Sequence, residues 1–261
     1  MQGVRLSFEA IAAAPQLQAA RVTLARPPLN VLDIPTICEL SEAISEAEER
    51  PGVGAIILAA DGERAFSVGV DVRDHTPERV GEMLGAFHGV FRALARTEKI
   101  TLAAVRGFCL GGGSELATFC DLVVAAEDAQ FGQPEIQLAC FPPIAAITFP
   151  KLIGEKKAAE LLLTGKRIGA AEAASLGLVN RVVPRGEVDA AVQQLLEELF
   201  KNSAAALVLA KRALRLGSAE EFGRRLEAVE RLYLEELMRT HDCKEGIDAF
   251  LEKRSPAWRH S

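Results

Sequence analysis

Val105-Arg106-Gly107-Phe108-Cys109-Leu110-Gly111-Gly112-Gly113-Ser114-Glu115-Leu116 runs from an apolar, strand-like stretch through a glycine turn into a helix-forming segment. Three successive glycines at a helix start leave backbone N–H groups open to a ligand, and the helix dipole adds positive potential there. Taken alone, the triplet is a weak signal, better explained as a tight turn that lets two backbones pack closely. A second turn changes the balance. Ala65-Phe66-Ser67-Val68-Gly69-Val70-Asp71-Val72 also follows a strand pattern, about forty residues upstream. A chain that winds in a spiral can bring two such turns together, so that one N–H from each points at the same oxygen.

Working outward, the pattern reads as α/β. Val4, Leu6 and Phe8 alternate with polar neighbours and the alternation resumes over Ala20 to Leu24, which predicts two strands around a turn near Pro15. Asp33 stands at a helix N-cap position, with Pro35 in the first turn and Ile37, Leu40, Ile44 and Ala47 on one face. Short apolar runs at Val53–Ala59, Leu102–Val105, Leu122–Ala126 and Leu178–Val183 predict buried strands. Helices are expected from Thr76-Pro77 to Arg96, over Gly113–Cys120, Lys156–Thr164 and Ala170–Leu176. Beyond Pro184 strand runs cease, and Glu187–Phe200, Ala204–Leu216 and Ala219–Met238 read as amphipathic helices. The expected organisation is a spiral core over residues 1–195 and a C-terminal helical region over residues 196–261, which must pack on the core or on another subunit to bury its apolar faces.

The chain has 261 residues, 49% of them hydrophobic, and a net charge of -6. An acidic protein without a basic stripe is a poor binder of nucleic acid or anionic membranes. Apolar runs fall short of the roughly 20 residues needed to span a bilayer. Five cysteines, without a CxxC pair or histidines at ligand spacing, predict reduced thiols in a cytoplasmic protein and argue against a metal site.

With these residues in place the sequence resembles the crotonase, or enoyl-CoA hydratase/isomerase, superfamily. The resemblance runs through the AFSxGxD turn, GxxLGGGxELxxxCD, Ala129-Gln130-Phe131-Gly132-Gln133-Pro134-Glu135, Leu163-Thr164-Gly165, and the tail Glu245-Gly246-Ile247-Asp248-Ala249-Phe250. It implies a spiral of ββα units whose C-terminal helices build homotrimers, often paired into homohexamers. It implies an acyl-CoA thioester substrate and no separate cofactor. It also implies an oxyanion hole from the N–H groups of Val70 and Gly112; position 70 is commonly Ala in the family, but Val carries the same N–H.

Glu115 and Glu135 match the two glutamates of enoyl-CoA hydratases. Read without the resemblance, Glu115 is a residue favoured by a helix N-terminus and Glu135 a solvated loop acid. As a pair they fit hydration, in which one group deprotonates water and another protonates carbon. By the same likeness, Ala25, Arg26, Phe66 and Val68 are expected near the CoA, and Lys211 and Lys253 are candidates for its phosphates. His75 and His88 are expected to be structural. One departure stands out. Where family members carry a glycine-rich segment, this chain reads Cys140-Phe141-Pro142-Pro143-Ile144-Ala145-Ala146, which implies a stiff acyl pocket walled by Phe87, Cys140, Phe141 and Pro142. That stretch resembles cyclohexa-1,5-diene-1-carbonyl-CoA hydratases. A general enoyl-CoA hydratase, an isomerase or other enolate enzyme on the same fold, and a non-catalytic acyl-CoA binder are the alternatives.

Overall fold

A computed structural model describes residues 3–261. The chain opens with an antiparallel pair, β1 (Val4–Ala10) and β2 (Gln18–Leu24), with Val4 opposite Leu24. Helix α1 (Ile34–Glu49) follows, and Asp33 caps it as expected by accepting the Thr36 N–H at 3.0 Å. Ile37, Leu40, Ile44 and Ala47 are all buried, so the face read from the sequence is the face that packs.

The next three passes share a plan. Strands β3 (Val53–Ala60) and β4 (Ala65–Ser67) precede helix α2 (Val80–Arg96). Strands β5 (Ile100–Val105) and β6 (Phe108–Leu110) precede α3 (Gly112–Phe119). Strands β7 (Leu122–Ala126) and β8 (Gln130–Gly132) precede α4 (Pro143–Ile153). The first strand of each pass lies in a six-stranded sheet and the second in a four-stranded one, which makes the chain a spiral of ββα units. Helix α5 (Glu155–Thr164), β9 (Arg167–Gly169), α6 (Ala170–Leu176) and β10 (Arg181–Val183) complete the two sheets. Their orders are β1-β2-β3-β5-β7-β10 and β4-β6-β8-β9. Within the larger sheet β2, β3, β5, β7 and β10 run parallel. Every residue of β5 is buried, as expected of a parallel strand covered on both faces.

Helices α7 (Val188–Phe200), α8 (Ala204–Leu214), α9 (Ser218–Arg231) and α10 (His241–Leu251) form the C-terminal part. The 195/196 division drawn from the sequence falls inside α7, which packs on β5 and β7. Four other expectations shift. The helix foreseen from Thr76-Pro77 begins only at Val80, because Asp71 caps a separate 3-10 turn over Val72–His75. The strand foreseen over Leu178–Val183 is limited to Arg181–Val183, since the Leu178 N–H closes the end of α6 on the Ala173 carbonyl at 2.9 Å. The helix foreseen over Ala219–Met238 ends at Arg231 and gives way to a π-turn over Leu232–Glu236. The turn after Glu135, read as a stiff wall, becomes helix α4 at Pro143, where a proline suits the first helical turn.

Candidate active site

The two glycine turns meet. At the end of β4, Leu32 bridges Val70 in parallel fashion: the Leu32 N–H donates to the Gly69 carbonyl at 2.9 Å and the Asp71 N–H donates to Leu32 at 3.0 Å. In a trans peptide the N–H points opposite the preceding C=O, so this bridge turns the Val70 N–H away from Leu32. In the second turn Gly112 is the first residue of α3, whose early N–H groups have no acceptor within the helix. A Cβ on Gly69 would stand 2.9 Å from the Gly112 nitrogen, and a Cβ on Gly112 would stand 3.3 Å from Val70 Cγ2. The loops are therefore in contact at the two residues the sequence singled out.

Each glycine of the triplet answers a different neighbour. Gly111 has φ +54°, and a Cβ there would lie 2.6 Å from Glu135 Oε1. At Gly112 a Cβ would strike Phe87 Cζ at 2.7 Å, and at Gly113 the Ser67 carbonyl at 2.5 Å. The triplet lets α3 press against β4, α2 and the Glu135 turn together.

Glu115 lies one turn into α3, is 2% exposed, and its Oε1 accepts the Ala145 N–H of α4 at 2.8 Å. Burial raises its pKa from 4.5 to about 7, against the pull of the Ala145 and Ile144 N–H groups. Glu135 sits in a 3-10 turn over Pro134–Leu138, closed when the Cys140 N–H donates to the Glu135 carbonyl at 3.0 Å. Its Oε2 is buried with no hydrogen-bond partner among the described residues. Burial first, and then the charge of Glu115, push this carboxyl well above the ordinary range. Glu135 is thus half-buried, with one oxygen shielded from water, and is not the freely solvated loop acid that its sequence position suggests.

Both glutamates, Gly112, Val70 and Val68 line one cavity of about 490 Å³. All four residues expected of the acyl wall, Phe87, Cys140, Phe141 and Pro142, line it too. Cys140 is held as a thiol, its pKa raised by the hydrogen bond to Cys243 and by burial, which suits a wall residue rather than a nucleophile. The wall also has members the sequence did not reveal. Tyr233, 1% exposed and the chain's sole tyrosine, packs edge-on against Phe141 with ring centroids 5.1 Å apart. It lies in the π-turn, a feature common where a helix must aim a side chain; no periodic pattern distinguishes such a residue beforehand. His75 and His88, expected to be structural, both face the cavity. The His75 Nδ1 lies 3.1 Å from the Asp71 carbonyl, and His88 is hydrogen-bonded to Glu230.

The expected CoA contacts fare unevenly. Ala25, Arg26, Phe66, Lys211 and Lys253 do not line the cavity. Ala25 donates its N–H to the Gly3 carbonyl at 2.8 Å, and Arg26 pairs with Asp33 at 2.7 Å. Phe66 is buried in the core. Lys211 requires a correction: its side chain is 5% exposed and its ammonium is ion-paired to Asp121 at 2.7 Å, which Arg215 also holds at 2.6 Å. It is an internal tie between α8 and the sheet and is not free to meet a phosphate. Lys253 is exposed, just past α10.

Comparison with known proteins shows the family. The family model described as enoyl-CoA hydratase/isomerase matches residues 16–261. The chain is 40% identical over 240 residues to cyclohexa-1,5-dienecarbonyl-CoA hydratase of Thauera aromatica, covering 92% of each protein. It is 36% identical to the short-chain-enoyl-CoA hydratase of Clostridium acetobutylicum, over 91% of this chain and 92% of that protein. Among solved structures, carnitinyl-CoA hydratase from Mycobacterium avium superposes with a TM-score of 0.87 at 30% identity, over the whole of both chains. Matched by the family model over most of its length and by relatives at 30% identity or more, with Glu115 and Glu135 on one cavity beside the Val70 and Gly112 loops, the chain belongs to the enoyl-CoA hydratase/isomerase family.

Proposed function

We propose that this protein is a hydro-lyase that adds water across the conjugated double bond of an α,β-unsaturated acyl-CoA thioester. The observation that carries the reading is that Glu115 and Glu135 line the same cavity as the Val70 and Gly112 loops, which touch each other there. The Val70 and Gly112 N–H groups would take the thioester oxygen as it gains charge, each such donor being worth roughly 3 kcal/mol in the transition state. The two glutamates divide the protons. Glu115, whose carboxylate is supported by the Ala145 N–H, is the group that ionises first and takes a proton from the attacking water. Glu135, with a buried and unpartnered oxygen, is the acid that delivers a proton to the α-carbon. One O–H bond of water breaks, C–O and C–H bonds form, and the thioester leaves saturated at those carbons. No redox or metal chemistry is needed for these steps.

The substrate we propose is a ring-bearing dienoyl thioester, cyclohexa-1,5-diene-1-carbonyl-CoA, which would place the protein in anaerobic aromatic degradation. Support comes from the likeness to the Thauera protein and from a wall of Phe141, Pro142, Pro143 and Tyr233, flat and rigid where a linear chain needs little. We further propose a cytoplasmic homotrimer or homohexamer, in keeping with free cysteines and with Leu214 at the end of α8 and Leu216 in the turn after it more than four-fifths exposed. Lys253, and the backbone near Ala25 and Val68, remain our candidates for contact with the nucleotide end. Among the described residues no helix is long and apolar enough to cross a membrane.

Incubation with the cyclic dienoyl-CoA and with crotonyl-CoA in H₂¹⁸O, followed by mass analysis, tests both levels. The expected result is one labelled oxygen in the product and a higher kcat/KM for the ring. A preference for crotonyl-CoA would replace the ring by a linear acyl group, while failure to label any enoyl thioester would overturn the hydratase reading.

A further inference from the structure

One polar group on the cavity wall is left over by the two-carboxyl mechanism. His88, in the middle of α2, is fully buried. Its Nδ1 lies 2.7 Å from Glu230 Oε1 on α9, and the Arg92 guanidinium reaches the same oxygen at 2.6 Å. Its other nitrogen, Nε2, is buried and has no hydrogen-bond partner among the described residues. His88 nevertheless borders the cavity, between apolar residues of its own helix, Leu84 and Phe87. A buried, unpaired polar atom is destabilising, so a group that keeps one calls for a function or a ligand contact that repays the cost.

The polarity of that atom follows from its partner. Burial disfavours a charged imidazolium at position 88, although Glu230 opposes this. Burial also raises the Glu230 carboxyl, but hydrogen bonds from His88 and Arg92 outweigh it and keep the group ionised. A carboxylate can only accept, so the imidazole proton sits on Nδ1, and Nε2 presents a lone pair. On a residue that borders the cavity, Nε2 is therefore an acceptor that asks for a donor. An unsaturated hydrocarbon chain or ring has none to give.

We propose that His88, oriented by Glu230, is a specificity-determining residue whose Nε2 accepts a hydrogen bond from a hydroxyl on the acyl group. The ligand class it selects is a hydroxyacyl thioester, so the cavity distinguishes the hydrated acyl group from its deoxygenated counterpart. This inference rests on the acyl-CoA reading above. It adds a third polar contact, supplied by α2 and α9, to those of the two glutamates. It also gives α9 a part in recognition, since Glu230 fixes the tautomer and Tyr233, a few residues on, closes the same wall.

The test compares one thioester with and without its hydroxyl: 2-hydroxycyclohexanecarbonyl-CoA against cyclohexanecarbonyl-CoA. Dissociation constants are measured calorimetrically on the full chain carrying Glu115→Gln and Glu135→Gln, which removes the proton-transfer groups so that binding alone is read. With His88 present, the hydroxylated thioester is expected to bind on the order of tenfold more tightly. Adding His88→Phe, a ring without nitrogens, should bring the ratio near one while binding of the deoxy thioester changes little. Should His88→Phe not fold with Glu230 left beside it, the double change His88→Phe with Glu230→Leu removes donor and acceptor together and carries the same comparison. A ratio unmoved by these changes overturns the inference and leaves the hydratase reading standing. Absence of binding by either thioester overturns both.

Discussion

The two walls that carry the glutamates are built in opposite ways. Glu115 stands on a helix, locked from α4 by the Ala145 N–H at 2.8 Å, and its carboxyl has a fixed acceptor geometry. Glu135 stands on a single 3-10 turn, with Ala139 in the left-handed region at φ +52°, and its Oε2 has no partner among the described residues. One wall supports negative charge and the other resists it. The difference teaches that a pair of chemically identical side chains is assigned its roles by the backbone donors aimed at each, not by position in the sequence.

The largest effect that can break this contrast is on turnover. Glu115→Gln and Glu135→Gln should each lower kcat by about 10³-fold, within the usual range for loss of a proton-transferring group, with dissociation constants for saturated acyl-CoA changed only slightly. Near-normal turnover in either variant, measured by loss of enoyl thioester absorbance, would end the division of labour.

Stability comes next. A carboxyl whose folded pKa lies above its unfolded value keeps its proton longer in the folded state, so stability falls as pH rises between them. For Glu115 the window runs from 4.5 to about 7. Glu115→Gln should therefore be more stable than the parent at pH 8 by roughly 3 kcal/mol, and no more stable at pH 4.5. Thermal melts at the two pH values read the difference directly, and a gain that is independent of pH would mean that burial does not raise this carboxyl.

The smallest of the three effects is the pH dependence of the rate. With Glu115 acting as base, kcat should fall about tenfold per unit below its pKa of about 7. A decline at higher pH should follow as Glu135, raised further by the charge of Glu115, loses its proton. An acidic limb that persists in Glu115→Gln would assign it to another group.

Much of this was legible beforehand, for physical reasons that can be named. The long buried strands and α1 announce themselves through apolar runs and the Asp33 cap. The GGG triplet and the Val70 turn stand out because close approach leaves no room for a side chain. The small sheet was not legible, because strands of three residues such as Gln130–Gly132 show no periodicity. Neither was the start of α4, where consecutive prolines read as wall rather than helix. Lys211 misled because a lysine on an amphipathic helix looks solvated, and only the fold shows Asp121 waiting beneath it. His88 and Tyr233 belong to the cavity through contacts between α2 and the end of α9 that no local pattern encodes.

Gly246 of α10 has its α-carbon hydrogen pressed on the Leu138 carbonyl, too close for any side chain. That carbonyl ends the turn bearing Glu135, so a helix about a hundred residues downstream is what seats this glutamate. A ribosome, delivering the chain from its N-terminus, exposes both carboxyls well before this buttress exists. The nascent spiral thus presents both glutamates before the cavity is complete, and the site is finished only when the last helix packs on the Glu135 turn.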